Sequence, residues 1–376
     1  MMLRESELQE RLRDVQGALS PKGLGGLIVY YGAQHNMLRP DPIMLLTDHR
    51  ALGPSALFVP AVGAPTLVVT PRWDEERARE ACCCGKIIAV SEDDLVTEMA
   101  RAAKALPGPV AMIGTEVMTL ARGRAFFVEL GFEPADGGDI VRAASRIRTS
   151  FELERVRKAA EIADKGFEHL CKVARPGMRE YDLAAEVEAE MQSLGSEDNF
   201  GLIATGSHNV AVRAVNNRIL EAGDVVIGEI TPCFKGYFAQ LCRTFILGEP
   251  TDLQRKKFDM LIEAENAGLA VTRAGLPSSG IARAINDVIG KYGYADYCRP
   301  PYMRTRGHGL GLGGVMPSDL TDASAPILEQ DMTFVVHPNQ YVPETGYLML
   351  GDTIVVGEDG PTVLTRTPQR LFWRAS

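Results

Sequence analysis

The sequence predicts an α+β protein with two domains, a smaller α/β domain followed by a larger α+β domain. Its 376 residues exceed the ~100–200 residues of an average domain. Helical and strand patterns alternate up to about residue 145, which is typical of an α/β layer. From Ser150 onwards, two helices, strands, two helices and strands follow in turn, which indicates an internally duplicated α+β domain. We place the domains at 1–147 and 148–376.

In the first domain, amphipathic segments are separated by short apolar runs. Apolar residues at a spacing of three to four predict helices, whereas short apolar runs bounded by Gly or Pro predict strands. The predicted elements are a helix over 5–19, strands over 26–31, 55–60 and 66–70, a helix over 72–82, a strand over 86–90, a helix over 93–105, a strand over 110–114 and a helix over 116–130. This domain lacks both common glycine-rich phosphate-binding motifs, so it indicates no nucleotide site.

The second domain begins with a long amphipathic helix that ends at the Pro and Gly of RPGM, because proline cannot continue a helix. The predicted elements are helices over 152–174 and 181–194, strands over 201–204, 225–232 and 234–247, helices over 252–274 and 279–292, and strands over 332–338, 347–356 and 362–364.

Composition narrows the class of partner. Forty basic and forty-nine acidic residues give a net charge of −9, which argues against a nucleic-acid or anionic-membrane surface. No apolar run approaches the ~20 residues that span a bilayer, and the charged N-terminus does not resemble a signal peptide. We therefore expect a soluble cytoplasmic protein with a small-molecule substrate.

The seven cysteines predict no disulfide framework, because their number is odd and no secretory signal precedes them. Three of them are consecutive, Cys82, Cys83 and Cys84, just before a glycine. Adjacent side chains rarely converge on one metal. We expect these cysteines to be small buried residues at the end of a helix.

Seven motifs occur in order between Phe151 and Arg370. They are FELERVRKAAEIAD, RPGMREYDLAAEVEAEM, LEAGDVVIGEI, GYFAQLCRTFILGE, RGHGLGL, DMTFVVHPNQY and GDTIVVGEDGPTVLT. In order and spacing they resemble the creatinase/prolidase/aminopeptidase P family, M24. The resemblance implies a pita-bread fold for the C-terminal domain and a creatinase-like α/β fold for the N-terminal domain.

The family's peptidases bind two metal ions through two Asp, one His and two Glu. The positions that match these ligands hold Glu229, Gln240, His308, His337 and Gly351. A dinuclear site needs bridging carboxylates to hold two cations ~3.5–4 Å apart, and neither glutamine nor glycine supplies one. The sequence therefore predicts no dinuclear centre and no cofactor, and it is closest in character to the metal-independent, creatinase-like members.

Creatinase-like enzymes use a histidine in a short His-Asn segment, and His208 in TGSHNV stands at the matching position. Histidine titrates near neutral pH and so suits proton transfer. We predict that His208, Glu229, His308 and His337 are catalytic. The predicted reaction is hydrolysis of an amidine, cyclic amidine or amide C–N bond in a small carboxylate-bearing nitrogen compound.

Further residues are candidates for substrate binding. Gln240 is a plausible amide hydrogen-bonding group, and Cys242 stands where creatinase has a glutamate. The resemblance also implies a homodimer in which the small domain of one subunit covers the active site of the other. Arg39, His49 and Arg50 lie near predicted strand ends of that domain, where an arginine can grip a carboxylate bidentately.

Two alternatives remain open at this stage. Glu229, His308 and His337 form a two-histidine, one-carboxylate set, which is the composition of many mononuclear metal sites. A single divalent ion there would make the protein a metal-dependent hydrolase or lyase. The second alternative is a non-catalytic module, because fold alone does not determine function.

Overall fold

The computed structural model of the chain describes residues 2–313 and 317–374. The chain forms two compact units, Met1–Arg146 and Ile147–Ser376. The sequence places this boundary one residue later. No helix in the described part of the chain combines the length and the apolarity that crossing a membrane requires.

The first unit is a six-stranded mixed sheet with helices. Its elements are α1 (Met2–Leu19), β1 (Gly26–Tyr31), α2 (Pro42–Thr47), β2 (Ser55–Pro60), β3 (Thr66–Val69), α3 (Glu75–Ala81), β4 (Lys86–Ala89), α4 (Leu95–Lys104), β5 (Val110–Ile113), α5 (Leu120–Leu130), β6 (Ala135–Asp136) and α6 (Gly138–Ala144). The strand order is β4-β3-β2-β1-β5-β6. Strands β1, β2 and β3 pair antiparallel, whereas β4, β5 and β6 join the sheet in parallel. Helices α2 and α6 and strand β6 are not predicted from the sequence; Asp41 caps α2 by accepting from the backbone N–H groups of Ile43 and Met44.

The second unit has helices packed on two main sheets whose strands are mostly antiparallel. Its elements are α7 (Ser150–Val173), α8 (Glu180–Ser193), β7 (Asp198–Gly206), β8 (Val225–Phe234), β9 (Tyr237–Phe238), β10 (Leu241–Leu247), α9 (Asp252–Ala270), α10 (Ser279–Lys291), β11 (Gly307–Gly309), β12 (Thr333–Val336), β13 (Gln340–Val342), β14 (Gly346–Leu348), β15 (Asp352–Val355), β16 (Thr362–Val363) and β17 (Phe372–Arg374). One sheet has the order β17-β10-β8-β7 and the other β11-β12-β15-β16, and β13 and β14 form a separate hairpin.

Each main sheet packs against its own pair of helices. Apolar residues of α7 and α8 pack with β7, β8 and β10 in one core. Apolar residues of α9 and α10 pack with β12, β15 and the opposite side of β10 in a second core. Burial of these faces supplies the main driving force for this unit. The two cores explain why two helical pairs alternate with strands along the chain.

Two predicted strands are interrupted in the structure. The segment predicted over 234–247 breaks at Lys235 and Gly236, whose φ angles of 46° and 81° form a turn. The segment predicted over 347–356 divides into β14 and β15, because Gly351 leaves the hairpin and pairs with Cys242 of the other sheet. At both breaks the chain changes direction close to residues of the candidate site.

Candidate active site

The candidate site lies where the two main sheets of the second unit meet. Glu229 on β8 is directly opposite Cys242 on β10 in the antiparallel register. The backbone N–H of Cys242 donates to the Gly351 carbonyl at 3.0 Å, and the Gly351 N–H donates back to the Cys242 carbonyl at 3.0 Å. This bridge joins the strand that faces Glu229 to the sheet that carries the histidines.

His337 and His308 complete the group. His337 follows β12 and lies against Gly351, where a built Cβ would be 2.5 Å from the His337 Cβ. His308 lies on β11, and its ring centroid is 5.8 Å from that of His337 in an edge-to-face arrangement. The central cluster, defined as Glu229, Gln240, Cys242, His308 and His337, therefore gathers residues from both sheets.

Glu229 is the acidic member of the central cluster. Burial raises the pKa of its carboxyl from 4.5 to about 7, and the positive charge of Arg304 lowers that pKa in part. A carboxyl that titrates at about pH 7 is present in both protonation states under neutral conditions. Glu229 is therefore suited to accept and return a proton.

His337 carries little positive charge at neutral pH. Burial lowers the pKa of His337 from 6.5 to about 3, and the neighbouring His308 lowers it further. The Nδ1 atom of His337 is buried and has no hydrogen-bond partner in the described structure. A neutral imidazole with an unpaired nitrogen can hydrogen-bond a substrate, and leaving that nitrogen unpaired costs free energy.

Gln240 and Cys242 are the two remaining members of the central cluster. Gln240 is fully buried; its Nε2 donates to the Cys242 Sγ at 3.5 Å, whereas its Oε1 has no partner among the described residues. Burial, followed by the charge of Glu229, raises the pKa of the Cys242 thiol. Cys242 is therefore a protonated thiol at neutral pH and is poorly suited to act as a nucleophile.

A buried ion pair supports the bridge between the sheets. Arg243 is fully buried; its guanidinium donates to Asp352 Oδ1 at 2.7 Å and to the carbonyls of Cys242 and Gly351, each at 2.9 Å. Arg243 therefore binds Asp352 and does not pair with Glu229. Burial, followed by the charge of Asp352, raises the pKa of nearby Glu265 well above its usual range, so that this carboxyl stays protonated.

The structure places His208 on an exposed loop. Its Nε2 lies 2.8 Å from the Pro343 carbonyl, and its ring centroid is 5.9 Å from that of Tyr341. The next residue, Asn209, accepts a hydrogen bond from the Tyr347 N–H at 2.6 Å. His208 thus contacts the β13–β14 hairpin, not the central cluster.

The candidate residues of the first unit have different surroundings. Arg39 is exposed and donates to the Gln34 side chain at 2.6 Å. His49 is buried, 3.2 Å from Asp74, and burial lowers its pKa, which is the environment of a structural histidine. Arg50 is partly buried, and its carbonyl accepts from the Arg77 guanidinium at 3.3 Å.

Two residues near the central cluster were missed by the sequence analysis. Arg304 lowers the pKa of both Glu229 and His337 through its charge, so it lies near both. Tyr347 is partly buried, and its pKa is raised by burial and by the charge of Glu229. The signal for Arg304 was its place four residues before His308, but the direction of a long side chain does not follow from spacing.

Comparisons with known proteins place the chain in a family. Residues 154–358 match the family model for metallopeptidase family M24. The chain is 31% identical over 233 residues to the uncharacterized peptidase YqhT of Bacillus subtilis. The matched region covers 60% of this chain and 64% of YqhT. The chain is 28% identical over 237 residues to the Xaa-Pro dipeptidase of Pyrococcus furiosus, covering 62% and 67% of the two chains. The match thus spans less than two thirds of YqhT.

A solved structure agrees with the fold. The Xaa-Pro dipeptidase from Bacillus anthracis superimposes with a TM-score of 0.87 at 23% identity, covering 98% of this chain and all of that one. Together with the family match, this confirms the predicted pita-bread fold with mixed α and β structure. The relatives are named as a peptidase and as Xaa-Pro dipeptidases.

The same comparisons overturn two predictions. The predicted hydrolysis of a non-peptide C–N bond without a metal centre is wrong, because the relatives are peptidases and Xaa-Pro dipeptidases. The predicted absence of any cofactor is contradicted by membership of a metallopeptidase family. Both predictions gave more weight to the replaced side chains at the metal-ligand positions than to the seven retained motifs.

The residues at the family's metal positions do not fit a dinuclear centre. A side chain at position 351 would need a Cβ 2.5 Å from that of His337 and 2.8 Å from the Val336 carbonyl oxygen, so His337 occupies the space of a fifth ligand. Gln240 offers a neutral amide. Within residues 2–313 and 317–374, no three His, Cys, Asp or Glu side chains converge closely enough to hold a metal ion. The alternative mononuclear set of Glu229, His308 and His337 is among those that do not converge.

Seven family motifs in order, a family match over 154–358 and a full-length structural likeness lead to one conclusion. This chain belongs to metallopeptidase family M24 and has the pita-bread fold.

Proposed function

We propose that this protein hydrolyses short peptides, with dipeptides as the substrate class. The proposal is supported by its relatives, which include a peptidase and an Xaa-Pro dipeptidase. The observation that carries it is the partly buried Glu229 carboxyl with a pKa of about 7, in the same cluster as His337, whose pKa is lowered to about 3; the charge of Arg304 acts on both. This arrangement provides a proton carrier and uncharged hydrogen-bonding groups at one place.

In the proposed reaction, ionised Glu229 takes a proton from the attacking water and then passes it to the leaving amine. General acid–base catalysis of this kind contributes ~10²–10⁴ in rate. The unpaired Nδ1 of His337 hydrogen-bonds the substrate, and His308 packs on its ring and holds it in place. Gln240 binds a polar group of the substrate through its unpaired Oε1. No step is assigned to metal ions, because the residues at the ligand positions do not fit the dinuclear group.

The remaining candidate residues lie outside the central cluster, and we propose supporting roles for them. We propose that His208 acts from its loop by fixing the β13–β14 hairpin, which carries Tyr347 towards Glu229. We also propose a cytoplasmic homodimer in which Arg39 or Arg50 binds a substrate carboxylate. Light scattering of the purified protein tests the dimer; a monomer at all concentrations would contradict it.

The experiment that tests the function is a substrate panel. Purified protein is incubated with Xaa-Pro dipeptides, other dipeptides and creatine, and free amino acids are measured by mass spectrometry. Parallel samples contain added divalent metal ions or a chelator. We expect release of amino acids from dipeptides and no turnover of creatine.

Glu229→Gln is the matched test of the assigned role. It keeps the size of the side chain and removes its proton-carrying ability, so we expect at least 10²-fold lower kcat/KM. Glu358→Gln, on an exposed turn, is the control and should leave kcat/KM unchanged. Full activity of Glu229→Gln, or turnover of creatine but of no dipeptide, would overturn the proposal.

A further inference from the structure

A cavity of about 870 Å³ in the second unit is lined mainly by α7 and by the C-terminal segment that contains β17. Two attachments fix this segment to α7. Asp164 accepts hydrogen bonds from the backbone N–H groups of Arg366 and Thr367, each at 2.8 Å, and the Arg374 guanidinium donates to the Lys172 carbonyl at 2.7 Å. Because four of these five residues line the cavity, the attachments hold its walls in place.

The cavity is separate from the central cluster. Phe245 of β10 lines the cavity, and its side chain packs in the core that α7 and α8 form with the sheet. Cys242 of the same strand belongs to the central cluster and packs in the other core. Residues three apart on a strand point to opposite faces. The cavity therefore lies on the face of β10 that is turned away from the central cluster.

The floor of the cavity is apolar and partly aromatic. Ile162, Phe167 and Phe245 contribute to it from the buried core, and Phe372 of β17 lies beside them. The rings of Phe167 and Phe372 meet edge to face, with centroids 5.1 Å apart. Aromatic rings at such distances also pack well with a further ring. The volume is within the range of about 300–1,000 Å³ that is typical of sites for small ligands.

Every acidic side chain that lines the cavity already has a partner. Lys158 lies 3.2 Å from Glu161, and Lys165 lies 2.7 Å from Glu168. The carboxylate of Asp164 is occupied by its hydrogen bonds to the C-terminal segment. These pairs leave the remaining positive charges of the lining without an acidic counterpart.

Two arginines carry this excess of positive charge. The side chains of Arg366 and Arg370 are exposed, and neither forms an ion pair with any residue that the structure describes. The Arg370 guanidinium lies over the Phe372 ring, 4.7 Å from its centroid, and thus stands directly beside the aromatic floor. Guanidinium groups bind carboxylates through parallel hydrogen bonds. An apolar floor next to unpaired arginines is complementary to an apolar molecule with one carboxylate.

We propose that this cavity binds a small monocarboxylate with an aromatic body. The ring of the ligand packs on Phe167 and Phe372, and its carboxylate binds Arg366 or Arg370. This inference does not depend on the proposed peptide hydrolysis, because the cavity and the central cluster lie on opposite faces of β10.

The test is a titration of the whole protein with 4-phenylbutyrate, followed by tryptophan fluorescence. Trp373 lines the cavity, and Trp73 is the other tryptophan of the chain. In a Trp73→Phe background, Trp373 is therefore the sole reporter. We expect a saturable change of its fluorescence and a matching rise in Tm, since a ligand of the folded state stabilises the fold. The isosteric amide 4-phenylbutanamide, which lacks the charge, should bind at least about fivefold more weakly.

Substitutions of the arginines assign the carboxylate contact. Arg366→Gln or Arg370→Gln should weaken the binding of 4-phenylbutyrate about two- to fivefold, as expected for an exposed ion pair, and leave binding of the amide unchanged. Arg157→Gln is the matched control, because Arg157 is exposed on α7 but does not line the cavity. It changes the net charge equally and should leave both affinities unchanged.

A bulkier side chain in the wall tests where the ring binds. Cys171 of α7 lines the cavity and is partly buried, so Cys171→Leu should weaken the acid and the amide alike. Circular dichroism checks that each variant is folded, and the arginine variants remain decisive if Cys171→Leu is not. The proposal would be overturned by the absence of a saturable signal in both fluorescence and Tm, by equal affinities for acid and amide, or by arginine variants that bind the acid as the wild type does.

Discussion

Replacing Glu229 by glutamine should remove a defined part of the pH dependence of the protein's stability. In the folded protein the Glu229 carboxyl has a pKa of about 7, against 4.5 in water. Between these values the folded state holds a proton that the unfolded state releases. Glu229 therefore contributes no penalty below about pH 4.5, and its ionisation destabilises the fold progressively as the pH rises through 7.

The size of the effect follows from the shift. Because one pKa unit corresponds to about 1.4 kcal/mol, raising the pKa from 4.5 to about 7 corresponds to about 3 kcal/mol at pH 8. Glutamine cannot ionise. The variant should thus gain about 3 kcal/mol relative to the wild type between pH 4.5 and pH 8, on top of any constant effect of the substitution.

Urea denaturation of both proteins at several pH values measures this difference. Comparing the two proteins at each pH cancels every group that titrates alike in both. Glu358→Gln serves as the control and should show a difference that does not change with pH, because this carboxylate is exposed. A constant difference between Glu229→Gln and the wild type from pH 4.5 to pH 8 would refute the buried-carboxyl reasoning.

Two further substitutions test the surroundings of the central cluster. Gly351→Ala should destabilise the protein by about 1–3 kcal/mol in denaturation experiments, because its Cβ would meet that of His337 at 2.5 Å, whereas Gly360→Ala, with open space around it, should have little effect; equal stability of the two variants would contradict the close contact. Arg304→Gln removes a charge that lowers the pKa of Glu229, so the acid limb of the pH–activity profile should move to higher pH; an unmoved limb would mean that Arg304 does not act on Glu229.

Much of the fold could be predicted because the motifs that carry it are local and ordered. The helical pairs, the strands and the family followed from apolar spacing and from seven short motifs. The breaks in the strands did not, because they depend on contacts between distant segments. Gly351 leaves its strand because it pairs with Cys242, more than a hundred residues earlier, and spacing contains no sign of that pairing.

The candidate site shows the same division. Replacement of the metal ligands was readable from Gln240 and Gly351, but the filling of the space at Gly351 by His337 required coordinates. Arg243 does not pair with Glu229, since it lies opposite Gly228 in the register and binds Asp352. Side chains on alternate faces of a strand do not meet, however close they are in sequence.

The prediction of function failed for a different reason. Residue types at five positions decided the predicted chemistry, while the seven motifs shared with the family were given less weight. The comparisons give those motifs their weight, because they match proteins named as peptidases over most of the second unit. The retained family motifs and the replaced residues at the metal-ligand positions are separate observations, and each needs its own experimental test.

The pH dependence of kcat/KM for a hydrolysed dipeptide tests the central claim most directly. The account predicts that activity rises with pH along a limb whose apparent pKa is about 7, and that Glu229→Gln abolishes this limb together with most of the activity. A profile that is flat from pH 5 to pH 8, or one that Glu229→Gln leaves unchanged, would contradict it.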